Sequence, residues 1–315
     1  MRQTALDMVY ELAKKDPRVV FIGSDLGVGT LQKFKAEMPE RFFMEGISEA
    51  NVVGMAAGLA LGGKIPFINT IATFLTRRCF EQIVLDLCLH DLPVRLLGSG
   101  GGLVYAPLGP THLAIEDIGI LRPVPNITIV APADALEMRK VMAQTLDLHG
   151  PLYIRFGKGN DPLVTDADTP LLIGKANLMR RGDDALVVTT GITLRLALEA
   201  ATTLAGQGLQ CTVLHCHTVK PLDHEAILRH AARVPSVVTV EEHVLTGGLG
   251  TAVAEILAEA GLDPAPKFRR IALPDAFPHR YGNQASLMSD LGVTAAKVAA
   301  AVGELSASQA KRGPR

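Results

Sequence analysis

The stretch MEGISEANVVGMAAGLALGG, residues 44–63, sets one carboxylate, Glu49, against an otherwise apolar run. Val52, Val53, Met55, Ala56, Leu59 and Ala60 follow at helical spacing, so Glu49 falls at or just before the start of a mostly buried helix. Two readings are open. An acid after Ser48, a weak cap, is favoured by the helix dipole. A carboxylate in apolar surroundings also holds its proton to higher pH and can share it with a ring nitrogen. The second segment is TFLTRRCFEQI, residues 73–83, where Phe74 and Phe80 flank the Arg77-Arg78 doublet in a chain with only 4% aromatic residues. It reads as a packing helix or as a platform for a flat ligand. The third is GSGGGLVYAPLGPTHLAIEDIGILR, residues 98–122. A strand ending in Gly100-Gly101-Gly102 and running through Tyr105, Leu108 and Pro110 to His112 makes a long loop at the C-terminal edge of a sheet, where α/β proteins bind ligands. His112 is a cap, a satisfied core residue or a proton-handling group; G-x-G-x-x-G is absent, which disfavours a dinucleotide loop.

The elements that must position these residues alternate strand and helix, the pattern of a parallel sheet covered by helices. Strands are expected at 19–24, 66–71, 93–99, 127–132 and 151–157, with helices at 4–14, 50–61, 78–90, 115–121 and 133–148. The segment 161–175, rich in Pro and Asp, has no sustained period and reads as a linker. Alternation then resumes with strands at 185–191, 211–216, 236–242 and 268–274 and helices near 192–206, 223–233, 247–260 and 293–304. The fold class is therefore α/β in two domains, 1–160 and a smaller 176–304, with a polar tail at 305–315 expected to be disordered.

Bulk properties narrow the function. The 315 residues are 48% hydrophobic and 20% charged with no Trp, and mean hydropathy is +0.25, apolar enough that extensive subunit contact is expected. A net charge of −1 with no basic stripe disfavours nucleic acid. No run approaching a membrane span is evident, and the amphipathic start MRQTALDMVYELAKKD does not look like a signal peptide, so no membrane partner and a cytoplasmic location are expected. Cys79, Cys88, Cys211 and Cys216 form no C-x-x-C pair and read as buried thiols, and no metal ligands are assigned.

The order of the motifs carries a resemblance. EGISEANVVGMAAGLA, TF with R-x-F-E-Q, GPTHLAIEDIGILR followed by PNITIVAPAD, PLYIRFGKG, HTVKPLD and VEEHVLTGGLG together resemble the C-terminal half of transketolase, over about residues 2–304. They are also similar to 1-deoxyxylulose-5-phosphate synthase and to β subunits of 2-oxo acid dehydrogenases. The resemblance implies a pyrimidine-binding domain of thiamine-diphosphate enzymes followed by a transketolase C-terminal domain. It implies that Glu49 hydrogen-bonds N1′ of the cofactor's aminopyrimidine, that Phe74 stacks on that ring, and that Phe80 and Arg78 complete the cofactor face. His112 is implied near the reacting carbon, and Arg2 and Arg155 at a substrate phosphate, with Tyr105 and Leu108 on the substrate loop. Where transketolases carry a sugar-reading Asp this chain has Leu108, and a strand-end His and a phosphate-contacting Ser fall at Gly100 and Gly29. A less polar, unphosphorylated or larger substrate is expected.

The family's diphosphate-binding GDG motif is missing; GDD at 182–184 is no substitute. The expected protein is thus one subunit of a split, α2β2 transketolase-like enzyme, whose partner subunit holds the diphosphate and its Mg²⁺ or Ca²⁺. It would transfer a two-carbon or acyl unit from a ketose or 2-oxo acid to an acceptor. A 2-oxo acid dehydrogenase β subunit and a non-catalytic subunit that keeps the fold are the alternatives.

Overall fold

The computed structural model describes residues 1–24, 31–159 and 161–310, with side chains through 307. Among these residues twelve strands form two sheets. β1 (Val19–Gly23), β2 (Phe42–Met44), β3 (Ile65–Ile71), β4 (Arg95–Ser99), β5 (Thr128–Val130), β6 (Leu152–Phe156) and β10 (Thr218–Lys220) make a seven-stranded sheet in the order β10-β5-β6-β4-β3-β1-β2. β7 (Asn177–Arg180), β8 (Ala185–Thr189), β9 (Cys211–His215), β11 (Ser236–Val244) and β12 (Lys267–Leu273) make a five-stranded sheet, β12-β11-β8-β9-β7. All pairs are parallel except β10–β5 and β7–β9, so each sheet carries one antiparallel edge strand.

The central strands are buried on both faces, which is why they read as continuous apolar runs. In the first sheet Phe21, Phe67, Leu97 and Ile154 pack under α1 (Arg2–Lys15) and α6 (Ala135–Ala143). On the opposite face Ile22, Ile68 and Leu96 pack with α3 (Glu49–Leu61), the helical run 74–88 and α5 (Asp117–Leu121). Between β1 and β2 lies the short α2 (Gln32–Glu37). In the second unit α7 (Leu194–Ala205) and α11 (Ala295–Ala310) cover one face and α8 (His224–Ala231) and α9 (Leu249–Glu259) the other, while α10 (Gln284–Asp290) leads into α11.

Several expectations change. The expected helix at 78–90 begins earlier, as π-helical turns at Phe74–Arg78 and Ile83–Cys88 on either side of α4 (Phe80–Gln82). The tail expected to be disordered from 305 is helical to Ala310, because the Ala-rich α11 favours helix and Leu305 is buried; residues 311–315 lie outside the described residues. The stretch Gln284–Ala307 is, by length and composition, apolar enough to cross a membrane, yet Leu287, Met288, Val298 and Val302 are spent on the second core. The segment 161–175 is fastened to α6: Asp134 caps that helix through Leu136 N and Glu137 N and also accepts from Val164 N and Thr165 N, while Lys140 Nζ donates to the carbonyls of Asp166 and Thr169. The two units are interlocked. β10, from the second half of the chain, closes the edge of the first sheet, and Leu103, Leu113 and Ile115 from the first half lie in the second core. All four cysteines are free and buried, and burial raises their thiol pKa, Cys88 and Cys211 to about 11.

Candidate active site

Glu49 is the first residue of α3 and 2% exposed. Ser48 does not cap the helix; its hydroxyl donates to the Glu45 carbonyl at 2.8 Å, holding the turn that delivers Glu49 inward. Oε1 accepts weakly from Thr70 Oγ1 at 3.5 Å, and that hydroxyl is 2.8 Å from Ser24 Oγ. Ser24 and Thr70 sit at the C-terminal ends of β1 and β3, the sheet edge where ligands enter parallel α/β folds. Oε2 accepts from Arg78 Nη1 at 2.5 Å.

Three residues after β3 the chain turns into the π-helical segment that begins at Phe74. Such turns re-aim side chains and recur at functional sites. Adjacent residues of a helical turn do not share a face, so the two arginines of this segment point in different directions. Arg78 lies with its guanidinium carbon 4.5 Å from the Phe74 ring centroid. Arg77 donates to the carbonyls of Thr111 (3.1 Å) and Leu113 (3.4 Å) and pairs with Glu116 (3.1 Å), pinning the 110–113 loop against the helix. The pinned loop presents His112 at the end of the turn Pro110–His112, its ring edge-on to Phe74 with centroids 5.1 Å apart. His112 Nδ1 is 2.8 Å from Thr111 Oγ1, which leaves Nε2 without a partner among the described residues. Arg77 is the positioning residue that sequence reasoning missed; the doublet was visible, but which partner each arginine meets is set only in the fold.

Glu49, Phe74, Arg78 and His112 therefore come together from three separate segments. The remaining candidates do not join them. Phe80 opens α4 with 38% exposure and makes no ring contact among the described residues. Arg2, partly exposed, starts α1 beside the Met1 amine, which pairs with Asp161. No contact among the described residues links it to Glu49 or His112. Leu108 is 50% exposed on the loop. Gly29 lies outside the described residues.

Arg155 is a correction. It is buried, its Nε donates to Asp117 at 2.9 Å, and its Nη2 donates to the carbonyls of Ala114 (3.2 Å) and Glu242 (2.7 Å). Tyr153 donates to the same Asp117 carboxylate at 2.7 Å. This arginine clasps the two units together, its Nε and Nη2 spent on Asp117 and the two carbonyls. The exposed cation of the segment is Lys158, whose Nζ lies 5.6 Å from the Tyr105 ring centroid. The triple glycine likewise serves packing: at Gly100 (φ +77) a Cβ would strike the Tyr105 ring, and at Gly102 (φ +67) the Glu242 carboxylate. Tyr105 is itself 5% exposed, with its hydroxyl buried and unpartnered among the described residues.

Residues 1–162 match the family described as the pyrimidine-binding domain of transketolase, and residues 174–298 its C-terminal domain. This chain belongs to the transketolase family. Within that family it is 38% identical, over 97% of its length and 94% of the relative's, to the 6-deoxy-6-sulfo-D-fructose transketolase subunit of Clostridium sp. (strain MSTE9). It is 39% identical to 1-deoxy-D-xylulose-5-phosphate synthase 1 of Geobacter sulfurreducens over 94% of this chain but 46% of that enzyme, so it spans about half the length of such relatives. A solved split-gene transketolase, described as an inactive β4 tetramer, superposes with a TM-score of 0.88 at 35% identity, over 97% of this chain and 98% of that one. The transketolase of Pichia stipitis shares the fold at 18% identity and a TM-score of 0.80, over 98% of this chain and 46% of that one.

The residues present fit one half of the family's cofactor, thiamine diphosphate. A buried carboxylate beside an aromatic face already receives a flat, cationic N–H donor in the Arg78 guanidinium, the kind of group an aminopyrimidine presents. For the diphosphate half no comparable cradle is seen among the described residues. Among the described residues no cluster of three or more His, Cys, Asp or Glu side chains is arranged to hold a metal ion.

Proposed function

We propose that this chain is the pyrimidine-binding subunit of a two-chain, thiamine-diphosphate-dependent transferase that moves a two-carbon or acyl unit from a ketose or 2-oxo acid to an acceptor. The observation that carries this reading is the convergence of buried Glu49, the Phe74 face and His112 at the C-terminal edge of the first sheet. Glu49 would hold a proton at the pyrimidine nitrogen, and Phe74 would fix the ring plane. His112, positioned by Arg77 and with Nε2 open, would hydrogen-bond oxygen charge on the reacting substrate. When bound, the cofactor supplies the carbon nucleophile that the protein's side chains lack. A partner subunit carrying the diphosphate domain would bring that end of the cofactor and its Mg²⁺, in an α2β2 assembly; the near full-length match to a chain described as a split-gene transketolase supports a divided enzyme.

The loop supports a substrate that is less polar, unphosphorylated or carried on a larger group. Leu108 is exposed where sugar-reading transketolases place an acid, and Tyr105 packs over Gly100 where a histidine would stand. A lost polar contact of this kind is worth roughly 1–3 kcal/mol, enough to turn preference away from pentose phosphates. The test is co-purification of this chain with a partner that carries GDG and a downstream Asn, then a substrate panel on the complex. Cofactor-dependent transfer with best efficiency on a substrate other than xylulose 5-phosphate and ribose 5-phosphate is expected. Highest efficiency on those two would overturn the loop argument, and no cofactor-dependent transfer on any ketose or 2-oxo acid would overturn the enzymatic reading.

A further inference from the structure

The site is closed by its own arginine. Arg78 satisfies the two features of the pyrimidine face at once: Nη1 donates to Glu49 Oε2 at 2.5 Å, and the guanidinium carbon lies over Phe74 at 4.5 Å from the ring centroid. Its side chain is 44% exposed although the carboxylate it holds is 2% exposed, so it reaches into the site from solvent and has solvent to return to. Arg77, its neighbour, is tied to Thr111, Leu113 and Glu116, so the two arginines of one turn differ in freedom.

A guanidinium and a protonated aminopyrimidine share flatness, positive charge, N–H donors in the plane and affinity for an aromatic face. A single pocket carboxylate and ring face cannot serve both at the same distance. We propose that Arg78 is an internal placeholder for the aminopyrimidine, a latch that pairs Glu49 and covers Phe74 in the cofactor-free chain and swings outward when the ring seats. The proposal rests on the pyrimidine reading of this site. The latch keeps the buried Glu49 carboxylate paired until the ring arrives, and the ring, taking up a proton from solvent at its nitrogen as it seats, replaces one cationic partner of Glu49 with another. It also sets a competition, so the chain alone holds the pyrimidine ring more weakly than the same face without Arg78.

The experiment uses the full chain and thiamine, which presents the aminopyrimidine without the diphosphate, titrated by calorimetry and by ¹⁵N NMR of the arginine Nε groups. Arg78→Gln and Arg78→Ala are expected to bind thiamine about tenfold more tightly than the parent, a change of ~1.4 kcal/mol. Arg78→Lys, which keeps charge but not the planar fork, is expected to fall between. In the parent, thiamine should shift the Arg78 Nε resonance and leave that of Arg77 in place. Equal affinity in parent and variants overturns the latch, and weaker binding in the variants overturns it by making Arg78 a cofactor contact. No thiamine binding to any folded form overturns the pyrimidine reading and the latch with it.

Discussion

Two arginine–carboxylate pairs in this molecule are alike in their short N–O distances and differ in what surrounds them. In the Arg155–Asp117 pair both side chains are buried, at 6% and 0% exposure. The carboxylate has a second donor in Tyr153, and the arginine also donates to the carbonyls of Ala114 and Glu242. In the Arg78–Glu49 pair the carboxylate is as deeply buried, yet its arginine is 44% exposed and shared only with an aromatic face. The first pair has no room to exchange partners and holds the two units together; the second has one partner that water can take back. A buried acid held by a releasable cation is the arrangement expected of a binding site, and a buried acid held from every side is a clasp.

The largest expected effect tests the clasp. Asp117→Ala leaves a buried guanidinium and the Tyr153 hydroxyl without their acceptor, and should cost about 3–5 kcal/mol in urea unfolding. A loss under about 1 kcal/mol would remove the distinction between the two pairs. Glu49→Gln sharpens the other side. The arginine it releases keeps its hydration, so stability should change by no more than about 1 kcal/mol. Turnover of the reconstituted enzyme should nevertheless fall by more than a hundredfold, the equivalent of ~3 kcal/mol of barrier, because an amide cannot hold the proton. Activity within a few-fold of the parent would return Glu49 to a helix-dipole role.

A third buried group at the join between the units gives a pH signature. Burial pushes His217 down to about 4, and its Nε2 is unpartnered among the described residues. Near it, Glu137 accepts from His215 Nε2 at 3.0 Å; burial alone would raise this carboxyl, but the His215 pair takes it below its ordinary value. The unfolded chain protonates His217 near 6.5 and the folded chain does not, so this contribution is intact above pH 6.5 and is lost as pH falls to about 4. The loss should reach roughly 3 kcal/mol, and Glu137 extends it below its ordinary titration range. Urea midpoints across this range check it: His217→Gln should flatten the limb between pH 6.5 and 4, and an unchanged slope would mean that the group does not stay neutral in the fold.

The sequence made the local features readable and hid the tertiary ones. The apolar period after Glu49 located α3 to within a residue, and the continuous apolar runs located the buried strands of both sheets. The short edge strands β2, β7 and β10 gave no period, and β10 crosses from the second half of the chain to the first sheet, which no linear pattern encodes. Arg155 looked like an anion-binding residue because its partner, Asp117, lies 38 positions away and is met only in the fold. Adjacent helix residues do not share a face, so the arginine doublet had to diverge, but that Arg77 meets the His112 loop and Arg78 meets Glu49 is decided only in the fold.

The central claim is that this chain holds the pyrimidine face of a shared cofactor site and a partner holds the rest. Titration calorimetry with thiamine diphosphate and Mg²⁺, on the purified chain and then on the chain with its partner, tests it most directly. Weak binding to the chain alone and tight, Mg²⁺-dependent binding to the complex is the predicted result. Tight, Mg²⁺-dependent binding to the chain alone would contradict it.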